Sequence, residues 1–244
     1  MSGTGLSRFY ASHVSDEASD FRFVAFREFL MAHLRGRTVA DIGCGTGMLA
    51  RELARAGLDV LAVEPDDALY ALAAEVRSAS ERPYLLRHCT ADALGAGELR
   101  PYENILMIDV LEHVQDDRKL LRFVVSRMET GSQLLCLLPA IEPLFGLRDR
   151  RYGHFRRYSE PAARALFQGA GFADLELVHW NFIGAPVYWF CEKMLRRPVP
   201  EAFRQGRRGI LGRFLNRALL AWFRAVENRG RAPWGLSILV KAVK

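Results

Sequence analysis

A doubly wound α/β domain is the fold class this sequence predicts, and three observations predict it. Short apolar runs alternate with helical patterns from Thr38 to Pro139. The first of these runs leads directly into a glycine-rich loop, Gly43-Cys44-Gly45-Thr46-Gly47. Four successive runs each close on an acidic residue, Asp41, Glu64, Asp92 and Asp109. Strands alternating with helices build βαβ units around a mostly parallel sheet. Open sheets of that kind bind ligands outside the carboxyl ends of their strands, where these acidic residues fall.

Each element has a local reason. Thr38–Ile42 is a β-branched run ending in glycines, followed by helical spacing over Met48–Ala56. Asp59–Val63 is a second strand, stopped by Pro65, and Asp66 is placed as N-cap of a helix through Arg77. Tyr84–Cys89 is a third strand, and Asn104–Val110 a fourth, apolar enough to be buried on both faces. Gln115–Glu129 reads as a helix with Asp116 and Asp117 in its first turn, where the helix dipole favours anions, and Gly131 as its C′ residue. Leu134–Leu138 is a fifth strand, ended by Pro139. Ser159–Gly169 reads as a helix with Ser159 at the N-cap and Pro161 early, then Leu175–His179 and Gly235–Val243 as two further strands.

Composition bounds the function. With 50% hydrophobic and 25% charged residues in 244, a largely disordered chain is excluded. The longest apolar candidate, Phe182 to Cys191, is far too short to cross a bilayer as a helix, and Met1–Tyr10 has no secretory h-region. Cys44, Cys89, Cys136 and Cys191 form no Cys-x-x-Cys pair, which argues against a zinc ribbon or disulfide framework and for a reducing cytoplasm. The net charge of +6 is uneven: residues 1–140 carry −5 and residues 141–232 carry +9. That split points the second half toward an anionic partner, or reflects an arginine-rich composition.

The glycines carry the sharpest signal. Gly43, Gly45 and Gly47 have the spacing GxGxG, whereas a dinucleotide loop would put its third glycine where Met48 stands. Glycines between strand and helix let the backbone turn sharply and approach a ligand, next to free N–H groups at the helix start. Asp41 offers a carboxylate to a cation. Glu64, 17 residues past Gly47, is placed to accept both hydroxyls of an unphosphorylated ribose. Asp92 is placed to accept an exocyclic amine of adenine, and Asp109 stands beside the same crevice.

Asp41-Ile-Gly-Cys-Gly-Thr-Gly47, Glu64, the step Ala91-Asp92-Ala93 and Ile108-Asp-Val-Leu-Glu-His-Val114 together resemble the class I S-adenosylmethionine-dependent methyltransferases over roughly residues 37–180. Tyr152-Gly-His-Phe-Arg-Arg-Tyr-Ser159 is similar to a GHxRRYS element of bacterial ubiquinone-biosynthesis-like methylases. The resemblance implies a seven-stranded Rossmann-like sheet of order 3-2-1-4-5-7-6 with strand seven antiparallel. It also implies S-adenosylmethionine as cofactor, held by Asp41, Gly43, Cys44, Gly45, Gly47, Glu64, Asp92, Ala93 and Asp109. Its substrate does not transfer from the group: a quinone, lipid or glycan precursor is the expected acceptor class.

Methyl transfer from a sulfonium is an in-line displacement, so alignment and desolvation come first. A base is needed only where the nucleophile must lose a proton, and His154 is preferred for it over His113, each with a structural alternative: orienting a loop for His154, packing or capping for His113. His13, His33, His88 and His179 read as structural, and no metal-ligand spacing appears. Arg156 and Arg157 suit anionic groups on an acceptor or salt bridges within the domain. Tyr158 and, near the N-terminus, Tyr10 complete the candidate acceptor side.

The layout is thus one domain: an N-terminal segment 1–36, a donor-binding core 37–180, a basic aromatic insertion 181–233 and a last strand 234–244. Within the insertion Ile210, Leu211, Phe214, Leu215, Ala218, Leu219 and Trp222 form one helical stripe with arginines mostly off it. Packing on its own domain, a peripheral contact with the inner membrane surface through 210–222, and a homodimer contact all fit. The expected function is methyl transfer to a small-molecule or lipid-like acceptor in the cytoplasm. An RNA methyltransferase ranks below it, because the basic residues form no Lys/Arg tract, and a donor-binding protein without chemistry is the non-enzyme alternative.

Overall fold

The computed structural model describes residues 20–197, 210–230 and 232–244. Tyr10 and His13 lie outside the described residues. In chain order the elements that matter are α1 (Phe21–Met31), β1 (Thr38–Ile42), α2 (Met48–Arg55), β2 (Asp59–Glu64), α3 (Asp67–Ser78), β3 (Leu85–His88), β4 (Asn104–Ile108), α4 (Asp117–Arg127), β5 (Gln133–Pro139), α5 (Leu147–Arg151), α6 (Glu160–Gln168), β6 (Leu175–Trp180), α7 (Gly184–Trp189), α8 (Ile210–Ala225) and β7 (Ser237–Val243).

The seven strands form one sheet in the order β3-β2-β1-β4-β5-β7-β6. The first five pair in parallel, and β7 enters antiparallel between β5 and β6, with Leu137 opposite Leu239 and Leu177 opposite Val240. The expected topology is therefore the observed one. β5 is buried along its whole length and β4 nearly so, as their continuous apolar sequence requires when helices cover both faces.

Two hydrophobic clusters lie on opposite faces of the sheet. One gathers Leu121 and Val124 of α4 and Phe167 of α6 against Ile105 and Met107; the other gathers Phe29 of α1, Leu53 of α2 and Phe223 of α8 against Leu106 and Leu135. Alternate residues of β4 and β5 thus feed alternate clusters, which is the period of a strand.

Local signals hold in most places. Asp66 caps α3, accepting from the backbone N–H of Ala68 and Leu69. Asp116 caps α4 through Lys119 rather than sitting in its first turn. Gly131 is not the C′ residue of that helix: α4 ends at Arg127 with Met128 already extended, and Gly131 (φ 90) turns the chain into β5. Ser159 stands at the N-cap of α6 but makes no cap bond there; its hydroxyl donates to Glu142.

The insertion packs on its own domain through a face that the predicted stripe only partly contains. Phe223 is buried against Phe21 and Trp180, with Leu219 and Leu220 beside it, and Arg224 donates to both oxygens of Glu28 on α1. Phe214, Leu215 and Trp222 of the stripe are exposed, Phe214 by 70%. No helix among the described residues is long and apolar enough to cross a membrane.

Candidate functional site

The loop after β1 is built on three left-handed glycines, Gly43 (φ 79), Gly45 (φ 57) and Gly47 (φ 74), a conformation that costs other residues roughly 1–2 kcal/mol. They differ in surroundings. A Cβ on Gly43 would meet Cγ2 of Val110 at 2.7 Å, and one on Gly47 would press on Ala73 and the Tyr84 hydroxyl at 3.1–3.2 Å. A Cβ on Gly45 would meet nothing within 4 Å, so a hollow opens at this glycine. The N–H groups of Gly43 and Cys44 both donate to the carbonyl of Val63, which ties the loop to the end of β2.

Two carboxylates lie beneath the loop. Glu64, the last residue of β2, accepts from the Gly45 N–H at 2.8 Å and the Asp66 N–H at 2.9 Å. Burial, with the Asp66 charge adding to it, raises its pKa against the lowering by those two bonds. Asp41 is fully buried, and its Oδ2 has no hydrogen-bond partner. Burial, and then the nearby Glu64 charge, push its pKa up to about 7. Burial likewise pushes the Cys44 thiol up, so Cys44 is a neutral wall of the loop. Further along the same edge, Asp92 and Ala93 sit exposed on a short turn (Ala91–Ala93) after β3, and Asp109 follows β4 in a left-handed conformation (φ 52).

Beyond β4 and β5 lies a second group. His113 ends a turn (Leu111–His113), and its ring meets that of His154 edge-on, centroids 4.6 Å apart. Burial and the neighbouring His154 hold His113 down to about 4, so it is neutral at ordinary pH. Beside them Glu112 is wholly buried with neither carboxylate oxygen hydrogen-bonded, and burial together with Asp109 drives its pKa far upward. One ligand atom from each of Glu112, His113 and His154 lies within 4.8 Å of the others, close enough to share a cation. The linear spacing did not disclose this trio, because the fold brings His154 back from 41 residues away.

A family model described as a methyltransferase domain matches residues 10–177, more than half of the chain. The chain belongs to the class I S-adenosylmethionine-dependent methyltransferases. Its curated relatives include ubiquinone biosynthesis O-methyltransferases from Methylococcus capsulatus, 34% identical over 36% of this chain and 38% of the relative, and from Methylocella silvestris, 29% identical over 58% and 59%. The chain thus matches well under two thirds of the length of those proteins. Among solved structures, a Thermotoga maritima methyltransferase described as a possible histamine N-methyltransferase superposes with a TM-score of 0.60 at 18% identity, over 98% of this chain and 97% of that one. A Haemonchus contortus phosphoethanolamine N-methyltransferase, in complex with S-adenosylmethionine, gives 0.55 at 17% identity over 86% and 49%. At these identities the structures speak for the fold.

The residues of this methyltransferase fit its donor. The unpartnered Asp41 oxygen is a buried acceptor that a cationic group would satisfy, and the hollow at Gly45 is a space that a side chain would fill. Gly43, Cys44, Gly45 and Gly47 form one loop with Asp41 of β1 and Glu64 of β2 beneath it, and Asp92, Ala93 and Asp109 follow the next two strands.

On the acceptor side the structure shows the salt-bridge and packing alternatives. Arg157 is buried, donating to both oxygens of Asp149 and to the Ala140 carbonyl. Tyr158 is buried and donates to Asp117 at 2.9 Å. Arg156 pairs with the same Asp117 at 2.8 Å and with the Gln115 carbonyl. All three are engaged within the domain: Arg156 and Tyr158 fasten the segment after α5 to α4, and Arg157 ties it to α5 and to the end of β5. Asp149 and Glu112 escaped the sequence reading. Asp149 lies in the run Arg148-Asp-Arg-Arg151, which reads as a solvated charged face, and Glu112 lies one step before a more conspicuous histidine.

Proposed function

We propose that this methyltransferase acts on a lipid-like acceptor whose apolar part lies in the cavity past the end of β5. The observation that carries this reading is the chemistry of that cavity. It measures about 260 Å³ and is lined by Ile141, Leu144, Phe182, Ala185, Trp189 and Trp234, among others, with no charged residue. Whole small-molecule sites span roughly 300–1,000 Å³, so this volume suits one apolar portion of a ligand. A larger cavity of about 430 Å³ is lined by His33, Glu176, His179 and Arg229 among others, charged and titratable groups that do not suit an apolar chain, and is not assigned to the reaction.

On this reading the Asp41 carboxylate receives the ammonium of the donor, Glu64 its ribose, and Asp92 with Ala93 its adenine, while Asp109 borders the crevice. The bound donor supplies an activated methyl on a sulfonium. The chain's own work is alignment, exclusion of water, and disposal of the acceptor's proton. Asp41, Glu64, Asp92 and Ala93 would hold that donor, whose sulfonium would supply the methyl to the acceptor atom while its electron pair stays on sulfur. The displaced proton passes to His154, whose neighbour His113 is neutral and so adds no repulsion. The relatives' name, ubiquinone biosynthesis O-methyltransferase, supports an acceptor with a long apolar chain.

A membrane-surface contact is part of this proposal. Trp189, Phe190, Met194 and Leu195 are all exposed in one short stretch that also carries Lys193, Arg196 and Arg197, and Trp189 lines the cavity as well. Aromatic and basic residues side by side suit an anionic lipid surface. The test of the reading is incubation with methyl-labelled donor and separate lipid and aqueous extracts. Label in the lipid extract alone is expected; label only in RNA or in water-soluble compounds would overturn the lipid-like acceptor.

A further inference from the structure

Asp149 is the most heavily hydrogen-bonded side chain near the histidine pair. It is buried on α5 and accepts from Arg157 Nε at 2.9 and 3.0 Å, His154 Nδ1 at 3.1 Å, the Tyr188 hydroxyl at 3.0 Å and the Gly146 N–H at 2.9 Å. A carboxylate has about four lone-pair sites, so these four donors saturate it. Burial alone would raise its pKa, yet the hydrogen bonds from His154 and Arg157 and the Arg157 charge hold it well below the usual carboxylate range.

The donors come from three parts of the chain. Arg157 is fixed to the end of β5 through the Ala140 carbonyl. Tyr188 comes from α7 of the insertion, with the Arg157 guanidinium 4.5 Å over its ring. The insertion grips the same segment twice more, where Glu192 accepts from the Leu147 N–H and Lys193 donates to the Phe145 carbonyl. A helix added merely to cover a sheet has no need to place a tyrosine hydroxyl on a buried carboxylate.

An ionised carboxylate only accepts hydrogen bonds. The bond between Asp149 and His154 therefore requires the proton to be on Nδ1, which leaves Nε2 of the neutral ring with its lone pair free. We infer that Asp149 is a positioning residue of the methyl-transfer site, which, held by Arg157 and by Tyr188 of the insertion, fixes His154 as the Nδ1–H tautomer with Nε2 turned to the acceptor's proton. As methyl transfer proceeds, the acceptor's bond to hydrogen breaks and Nε2–H forms, and the imidazolium so created lies against the Asp149 carboxylate. This rests on the proposed role of His154 as base, but its test does not need the acceptor.

The test is the nitrogen spectrum of the histidine rings in the full chain labelled with ¹⁵N-histidine, at mildly alkaline pH, with the His154 signals assigned by their loss in His154→Gln. In the parent protein His154 is expected to show a protonated Nδ1 and a bare Nε2. In Asp149→Asn the two signals are expected to move toward each other as the tautomers mix. In Tyr188→Phe they are expected to stay apart, because Arg157 and His154 still hold the carboxylate. A bare Nδ1 in the parent protein overturns the inference even if Asp149→Asn does not fold, and an unchanged pattern in folded Asp149→Asn overturns it as well. Failure of the donor or acceptor reading would appear separately, as absent donor binding by calorimetry or absent label transfer, with the histidine spectrum intact.

Discussion

Asp41 lies in the electric field of Glu64, so two buried carboxylates share the space beneath one glycine loop and Asp41 bears the larger cost. Burial and that field raise Asp41 to about 7, against about 3.9 in an unfolded chain. A carboxyl whose folded value is raised contributes stability that is present below the unfolded value and lost as pH rises through the folded one. The donor-free protein is therefore expected to lose up to about 4 kcal/mol between roughly pH 4 and 7 from this group.

A cationic donor reverses that cost, and binding near pH 6.5 should release a proton as Asp41 ionises. Calorimetry in two buffers of different ionisation enthalpy reads the release directly. It is expected in the parent and absent in Asp41→Asn, and a parent heat independent of buffer would sink the placement of the donor's ammonium.

The glycines separate folding from binding. Gly45→Val carries the strain of its positive φ but meets no atom within 4 Å, so the variant should fold and fail to bind S-adenosylmethionine. Gly43→Ala drives a Cβ into Val110 at 2.7 Å and should lower the melting temperature more than Gly45→Val does. Equal melting temperatures with unchanged donor affinity in Gly45→Val would contradict both halves.

Glu64 has two tasks. Removing it deletes an acceptor for the Gly45 and Asp66 N–H groups and, on the proposed placement of the donor, for the ribose. Glu64→Ala should bind the donor about ten- to a hundred-fold more weakly, the loss of a contact worth roughly 1–3 kcal/mol, and should also melt earlier. A variant binding as tightly as the parent would remove the ribose from this residue.

Glu112 makes a stability prediction of its own. Its carboxyl is buried, unpaired and raised by burial and by Asp109, with Arg157 as the opposing charge. The sign matches that of Asp41: the parent loses stability as pH rises above the ordinary carboxylate value. Glu112→Gln is neutral at every pH, so its stability relative to the parent should improve from pH 5 to pH 8 in urea melts. A constant difference would show that the carboxyl ionises freely.

The glycine loop was legible in the sequence because its backbone admits little else. Three left-handed residues in five confine the choice to glycine, and the spacing alone announced the turn. Arg156, Arg157 and Tyr158 were visible only as residue types. Whether an arginine meets a ligand or an aspartate depends on burial, and the partners Asp117 and Asp149 come from elements that local periodicity does not bring near. The stripe on α8 misled for another reason. That helix is apolar around much of its circumference, so the period fits more than one face, and tertiary packing chose Leu219, Leu220 and Phe223. The histidine pair was found one residue at a time, whereas Glu112 beside them became visible only through its burial.

The exposed stretch from Trp189 to Arg197 should decide what the basic half of the chain meets. Lys193, Arg196 and Arg197 would each add roughly 1 kcal/mol on an anionic surface, a contribution that salt weakens as the screening length falls from about 10 Å at 0.1 M. Phe190 and Met194 are half or more exposed, so changing them to alanine removes little core packing. The parent is expected to co-sediment with phosphatidylglycerol vesicles at low salt, and Phe190→Ala/Met194→Ala to do so several-fold less, with both losing vesicles as salt rises. Neutral phosphatidylcholine vesicles should retain only a weak apolar contact. Binding to bulk RNA at matched salt, with none to vesicles, would transfer the +9 half to nucleic acid and return the exposed aromatics to base stacking.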